Sequence, residues 1–211
     1  MQYLICVCAL LIGYIVGSIP TGYWIVKHKT GIDIREKGSG STGATNVSRV
    51  LGKKWFFIVM FLDMLKGFLP VLAVQLLADG NVFYVVCMAI GLVWGHCFSC
   101  FLKFKGGKSV ATGLGVFFAM DWVSGLIVFL VWVLFVQTSG YVSKSSIFAF
   151  LVAPLVLWLR HVPMPFVLYA LFAMCFIIFT HRENIQRLRG RAEKPEERIN
   201  WKEIERSNKA Q

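Results

Sequence analysis

The sequence predicts an all-α integral membrane protein with seven transmembrane helices, some of them short, and three observations predict it. Of the 211 residues, 57% are hydrophobic and 15% aromatic, and the mean hydropathy of +0.66 exceeds what a soluble domain of this size needs to fill a core. The apolar residues come in long runs, each compatible with a helix that closes its own backbone hydrogen bonds in lipid. The charged residues are gathered into a few blocks between those runs.

Apolar segments fall at about 3–26, 55–78, 82–102, 110–138, 146–159 and 164–180. The first has no basic stretch ahead of it and reads as a retained span, not a cleaved signal. The fourth is long for one helix of ~20 residues and short for two, and Asp121-Trp122 near its middle reads as a turn at the interface. Charge arbitrates. If 110–138 folds back on itself, loops 27–54, 103–109 and 139–145 share one face with the tail from 181 onward, and that face holds nearly all of the 22 Lys and Arg. The opposite face then holds Asp79, Asp121 and Arg160. A single fourth span would split the basic residues between the two sides, against the positive-inside rule. The reading is therefore an outside N-terminus, a cytoplasmic C-terminus, a seven-helix membrane domain over 1–181 and a charged tail over 182–211. The excess of positive charge behind the net +11 lies on the cytoplasmic face, where membrane lipids are the expected partner and nucleic acid is not.

Three polar blocks on that face carry chemistry. The first, GSGSTGATNVSR at 38–49, sets Gly38, Gly40 and Gly43 among the hydroxyls of Ser39, Ser41, Thr42 and Thr45, followed by Asn46 and Arg49. Glycines let backbone N–H groups approach an anion, hydroxyls add short donors, and an arginine clamps a phosphate through two parallel bonds. The second, KFKGGKSVATGLG at 103–115, looks like the end of a nucleotide-binding loop. Leu102 stands where that motif needs its first glycine, and no strand precedes it. What remains is Gly106 and Gly107, the point charge of Lys108, and the start of a helix whose dipole favours an anion. The third, THRENIQRL at 180–188, places His181 and Asn184 on one helical face at the end of the last span. Ser143, Lys144 and Ser146 add a weaker signal.

Other groups read as structural. Asp63 and Lys66, spaced i,i+3 inside an apolar run, read as a neutralising pair below the site. The six cysteines, including Cys97 and Cys100 beside His96, lie in or at the ends of apolar runs and read as small hydrophobes, with no metal site. His28 and Asp33 match an H-x4-D acyltransferase spacing, but two residues at one gap arise readily by chance.

Together GSIPTGYWIV at 17–26, GSGSTGATN at 38–46, GHCFSCFLKFKGGKSVAT at 95–112 and HRENIQRL at 181–188 resemble the bacterial acyl-phosphate:glycerol-3-phosphate acyltransferase (PlsY) family, up to about residue 193. The resemblance implies a seven-helix enzyme of the bacterial inner (cytoplasmic) membrane. Its reaction would move a fatty acyl group from acyl phosphate to the 1-hydroxyl of glycerol 3-phosphate, with no cofactor or metal, and an enzyme producing acyl phosphate would be its functional partner. By motif position, Ser39, Arg49, Lys108, His181 and Asn184 fall where that family contacts substrate. Arg49 and Lys108 are assigned to phosphate charge, Ser39 and Asn184 to glycerol phosphate, and the Gly106-Gly107 backbone to the acyl phosphate. Gly38, Gly40, Gly43, Thr45, Asn46, Ser143 and Ser146 are assigned to substrate binding. The chain offers no nucleophile, base and orienter set, which agrees with direct attack by the glycerol hydroxyl. His181 or a substrate phosphate takes the proton, with substrate assistance favoured. Ser41, Ser99, Ser109 and Gly140 depart from the family pattern. The competing reading is a small-anion transporter, for which midplane ionisable groups facing each other across an inverted repeat are expected.

Overall fold

The computed structural model describes residues 1–78 and 80–189, so the expectations for Asp79 and for the tail from 190 onward lie outside the described residues, as do the side chains of Arg187 and Leu188. The described chain is helical without a strand: α1 Gln2–Ser18, α2 Thr21–Thr30, α3 Ala44–Leu51, α4 Lys53–Leu77, α5 Val82–Cys97, α6 Val110–Met120, α7 Trp122–Ser139, α8 Val142–Leu159, α9 Met164–Thr180 and α10 Arg182–Arg189. Single 3-10 turns at Ile34–Glu36 and Cys100–Leu102 sit in the first and second loops.

Five stretches are long and apolar enough to cross a membrane: Gln2–Thr30 (counting α1 and α2 together), Lys53–Leu77, Val82–Leu102, Trp122–Ser139 and Val142–Leu159. Helices α6, of 11 residues, and α9, of 17 residues, are apolar but shorter. The first apolar run is broken at Ile19-Pro20, where Pro20 stands at the start of α2 with no N–H to continue the ladder of α1. The long run 110–138 is broken at Asp121, whose carboxylate accepts from both the backbone N–H (3.0 Å) and the hydroxyl (2.6 Å) of Ser124 and so caps α7. Burial pushes the Asp121 carboxyl upward, but the Ser124 bonds and the Arg160 guanidinium outweigh it and hold it below the usual carboxylate range.

Helix α6 is the central element. Thr112, Gly113, Leu114, Gly115, Val116, Phe117, Ala119 and Met120 are all buried along it. Phe117 meets Phe150 of α8 and Tyr169 of α9 at ring-centroid distances of 5.3 and 6.0 Å. The outer faces of α1, α4, α7, α8 and α9 instead expose large apolar side chains such as Leu11, Phe61, Leu134, Leu155 and Leu168, the inside-out pattern of helices that face lipid. A smaller cluster of Val26, Ile34, Val47 and Val59 seats α2 and α3 on α4.

Helices α1 and α5 touch backbone to backbone. Gly13 and Gly17 on one, Gly91 and Gly95 on the other, form small-xxx-small pairs, and a Cβ on any of the four would collide with main-chain atoms of the facing helix. This packing holds the end of α5, and with it His96 and Cys97, in place. Gly95→Val forces the Tyr14 carbonyl and Ser18 amide away, so it should cost about 1–3 kcal/mol, read as a lowered melting temperature in detergent. Leu11→Val on the exposed face should stay within about 0.5 kcal/mol of wild type.

Candidate functional site

Asn46, in the first turn of α3, organises the first loop. Its Oδ1 accepts the Ser39 N–H at 3.0 Å, and its Nδ2 donates toward the carbonyls of Ile34 (3.2 Å), Lys37 (2.9 Å) and Ser41 (2.9 Å). With its side-chain amide engaged on both sides and only 1% of its surface exposed, Asn46 shapes the loop and has little left for a ligand. Gly38 and Gly40, at φ of 55° and 70°, stand behind the loop and do not line the crevice described below. Arg35 ties the first loop to the second: it pairs with Asp33 at 2.6 Å and donates to the Leu102 carbonyl at 3.2 Å. The Arg35 hydrogen bonds hold the Asp33 carboxyl below its usual range. Asp33 thus has a structural partner within the first loop.

The second loop closes back on α5. Gly106 N–H donates to the Cys97 carbonyl and Gly107 N–H to the His96 carbonyl, both at 2.9 Å. These amides are therefore engaged within the protein, and neither glycine lines the crevice. A pair of glycines is as well suited to such a close backbone crossing as to cradling a phosphate. The crossing aims Lys108 across the mouth, where its ammonium bonds Asn184 Oδ1. Ser109 follows at φ 59°, a conformation in which glycine is at ease. Its hydroxyl, donating to the Val93 carbonyl at 2.5 Å and lying 3.1 Å from Cys97 Sγ, holds it there. Helix α6 starts at the next residue.

The third block sits at the end of α9. His181 Nδ1 lies 2.9 Å from the Ile177 carbonyl, and a carbonyl only accepts, so Nδ1 carries the proton and Nε2 keeps its lone pair. His181 is 3% exposed. Burial first, and the Lys108 charge second, push its pKa down to about 4, so the ring is neutral at pH 7. Asn184 lies one helical turn further on, within α10.

These elements enclose one crevice of about 950 Å³, its open mouth included. Ser39, Arg49, Lys108, His181 and Asn184 all line it, as do Gly43, Thr45, Asn46, Ser143 and Ser146. Residues from three loops distant in sequence thus meet. Ser146 is held by a bond to the Val142 carbonyl (2.7 Å) and one from Trp132 Nε1 (3.1 Å). The remaining wall is apolar, formed by Phe56, Met60, Val110, Leu114, Trp132 and Val142. Cationic and hydroxyl groups together with an apolar wall in one crevice suit an amphiphile with an anionic head.

Sequence reasoning missed part of the floor. Asp63 and His96 line the crevice as well, with Lys66 3.0 Å from Asp63 and 2.9 Å from His96 Nδ1. The i,i+3 charged pair was a signal for Asp63 and Lys66. Reading His96 beside its neighbouring cysteines drew attention from that ring.

Comparison with known proteins places this geometry in a family. The family model described as glycerol-3-phosphate acyltransferase matches residues 7–191. A glycerol-3-phosphate acyltransferase of Synechococcus sp. (strain JA-3-3Ab) is 48% identical over 180 residues, covering 85% of this chain and 88% of the relative. The crystal structure of PlsY (YgiH), an integral membrane glycerol 3-phosphate acyltransferase, in its glycerol 3-phosphate form, superposes with a TM-score of 0.86 at 40% identity, covering 94% of this chain and 98% of the other. The lysophosphatidic acid form of the same protein superposes at 0.84 with 39% identity, covering 94% and 97%. Matched over most of its length and in three dimensions, this chain belongs to the glycerol-3-phosphate acyltransferase family.

Proposed function

We propose that this multi-pass membrane enzyme transfers a fatty acyl group from acyl phosphate to the 1-hydroxyl of sn-glycerol 3-phosphate, giving 1-acyl-glycerol 3-phosphate and inorganic phosphate. The observation that carries the proposal is the single crevice that gathers Arg49, Lys108, Ser39 and Asn184 with an apolar wall. Two anionic substrates, one of them with an acyl chain, are brought together there, and holding them in attack geometry supplies much of the rate.

Arg49 and Lys108 take phosphate charge; Ser39 and Asn184 hydrogen-bond glycerol phosphate, with Thr45 and Ser143 adding hydroxyls at the rim. The glycerol oxygen forms a bond to the acyl carbon, the bond from that carbon to the phosphate oxygen breaks, and the hydroxyl proton ends on the released phosphate. We assign the proton to direct uptake by the departing phosphate, with His181 Nε2 orienting the hydroxyl. A mixed anhydride has a good leaving group, so charge stabilisation suffices without an acyl-enzyme. In this reading the chain lies in the bacterial inner membrane with seven spans, its N-terminus outside and the site at the cytoplasmic leaflet. Helix α6, at 11 residues, rises only about 16 Å, roughly half the thickness of a bilayer's hydrocarbon core. An enzyme that makes acyl phosphate is its functional partner.

Purified protein given acyl phosphate and labelled glycerol 3-phosphate should form labelled lysophospholipid, and acyl-CoA should not replace the donor. Lys108→Ala and Arg49→Ala should each lower kcat/KM by about a hundredfold or more; wild type without product would refute the reaction, and both variants at full activity would refute the site. His181 supplies a pH prediction. With a folded pKa of about 4 against an ordinary 6.5, its stabilising contribution is present above pH 6.5 and lost as the pH falls toward 4. The melting temperature of wild type should drop more steeply across that interval than that of His181→Gln.

A further inference from the structure

Beneath the second loop lies a buried cluster that the reaction above does not use. The Lys66 ammonium has three hydrogens and three acceptors: the Ile19 carbonyl at 2.9 Å, Asp63 Oδ1 at 3.0 Å and His96 Nδ1 at 2.9 Å. Thr21 donates to the same carboxylate oxygen at 2.7 Å, and Thr112 Oγ1 stands 3.3 Å from the same ring nitrogen. The side chains of Asp63, Lys66 and His96 are 3%, 6% and 8% exposed.

An ammonium only donates, so His96 Nδ1 holds a lone pair and the neutral ring carries its proton on Nε2. His181 is held in the opposite tautomer by the Ile177 carbonyl. His96 Nε2 lies against Gly107, where any Cβ would strike it, so the glycine is what lets the ring approach the second loop. Among the described residues the Tyr169 hydroxyl is the only sealed side-chain polar atom without a partner. Nε2 makes no hydrogen bond to those residues either, so it opens onto space, and His96 is among the residues that line the crevice, as is Lys108.

We infer that His96 is a further substrate-binding residue, an Nε2–H donor to the phosphoryl group of the acyl donor, locked in that tautomer by Lys66. The inference rests on the acyl-phosphate reading above. It gives the second loop the neutral donor that the Gly106 and Gly107 amides, engaged with α5, do not supply. Lys66 is a positioning residue in this scheme: it fixes which ring nitrogen bears the proton, and Asp63 balances its charge.

Two substitutions separate this role from a structural one. His96→Asn keeps an acceptor facing Lys66 but lacks the reach to donate at the Nε2 position. His96→Gln reaches that position and gives up the acceptor. Asn is expected to raise KM for acyl phosphate about tenfold, with KM for glycerol 3-phosphate unchanged, and Gln is expected to restore most of the loss. A ring that only supports Lys66 gives the reverse order, Asn near wild type and Gln defective, which would overturn the inference. In wild-type protein labelled with 15N-histidine, Nδ1 should appear unprotonated and Nε2 protonated, and the Nε2 signal should move when a non-hydrolysable acyl phosphonate is added. An Nε2 signal that stays put overturns the inference even if either variant fails to fold. Wild type that turns over no acyl phosphate overturns the donor reading and the His96 role together; wild type that turns over while His96→Asn matches it in both KM values overturns His96 alone.

Discussion

Two backbone hydrogen bonds, from Gly106 and Gly107 to the carbonyls that end α5, govern the geometry of the site. They turn the second loop so that Lys108 crosses the mouth toward Asn184 and so that α6 begins at the crevice and runs through the core. Those carbonyls stay in place because α5 is locked to α1 through four glycines in direct backbone contact. Where lipid replaces water there is no hydrophobic force to press helices together, and close packing of small residues takes its place. The position of a single ammonium group thus depends on how closely two distant helices approach.

A second constraint concerns where polar groups are allowed. Ionisable side chains inside lipid are costly unless paired, and the floor of the crevice meets that demand by joining Asp63, Lys66, His96, Thr21 and a backbone carbonyl into one network. Once Lys66 has donated all three hydrogens, the histidine beside it can no longer choose its tautomer. His181 is fixed the other way by a carbonyl that can only accept. On the inference above, the two imidazoles lining one crevice present an N–H and a lone pair, a donor and an acceptor beside Arg49 and Lys108.

Much of this was legible in the letters. The three polar blocks come together as their composition implied, and the break at Asp121 follows from a helix-capping residue set in an apolar run too long for one helix. What stayed hidden was which of two equivalent uses a residue serves. Asn46 reads as a ligand contact because it follows a glycine-rich loop; it is a buried strut because the carbonyls of Ile34, Lys37 and Ser41 converge on it. Gly106 and Gly107 read as phosphate donors, but their N–H groups meet carbonyls of a helix end that precedes them in the chain. In both cases the partner is set by the tertiary fold and local spacing carries no trace of it. The glycine pairs on α1 and α5, by contrast, were visible at their four-residue spacing and were not used.

The central claim is that both phosphorylated substrates occupy one crevice, with Arg49 and Lys108 sharing their charge. A crystal structure of this chain with glycerol 3-phosphate and an acyl phosphonate bound together tests it most directly. The account predicts both phosphorus atoms inside that crevice, flanked by these two side chains, with the acyl chain along Phe56, Met60 and Trp132. Two separate pockets, or an acyl phosphonate seated away from Lys108, would contradict it.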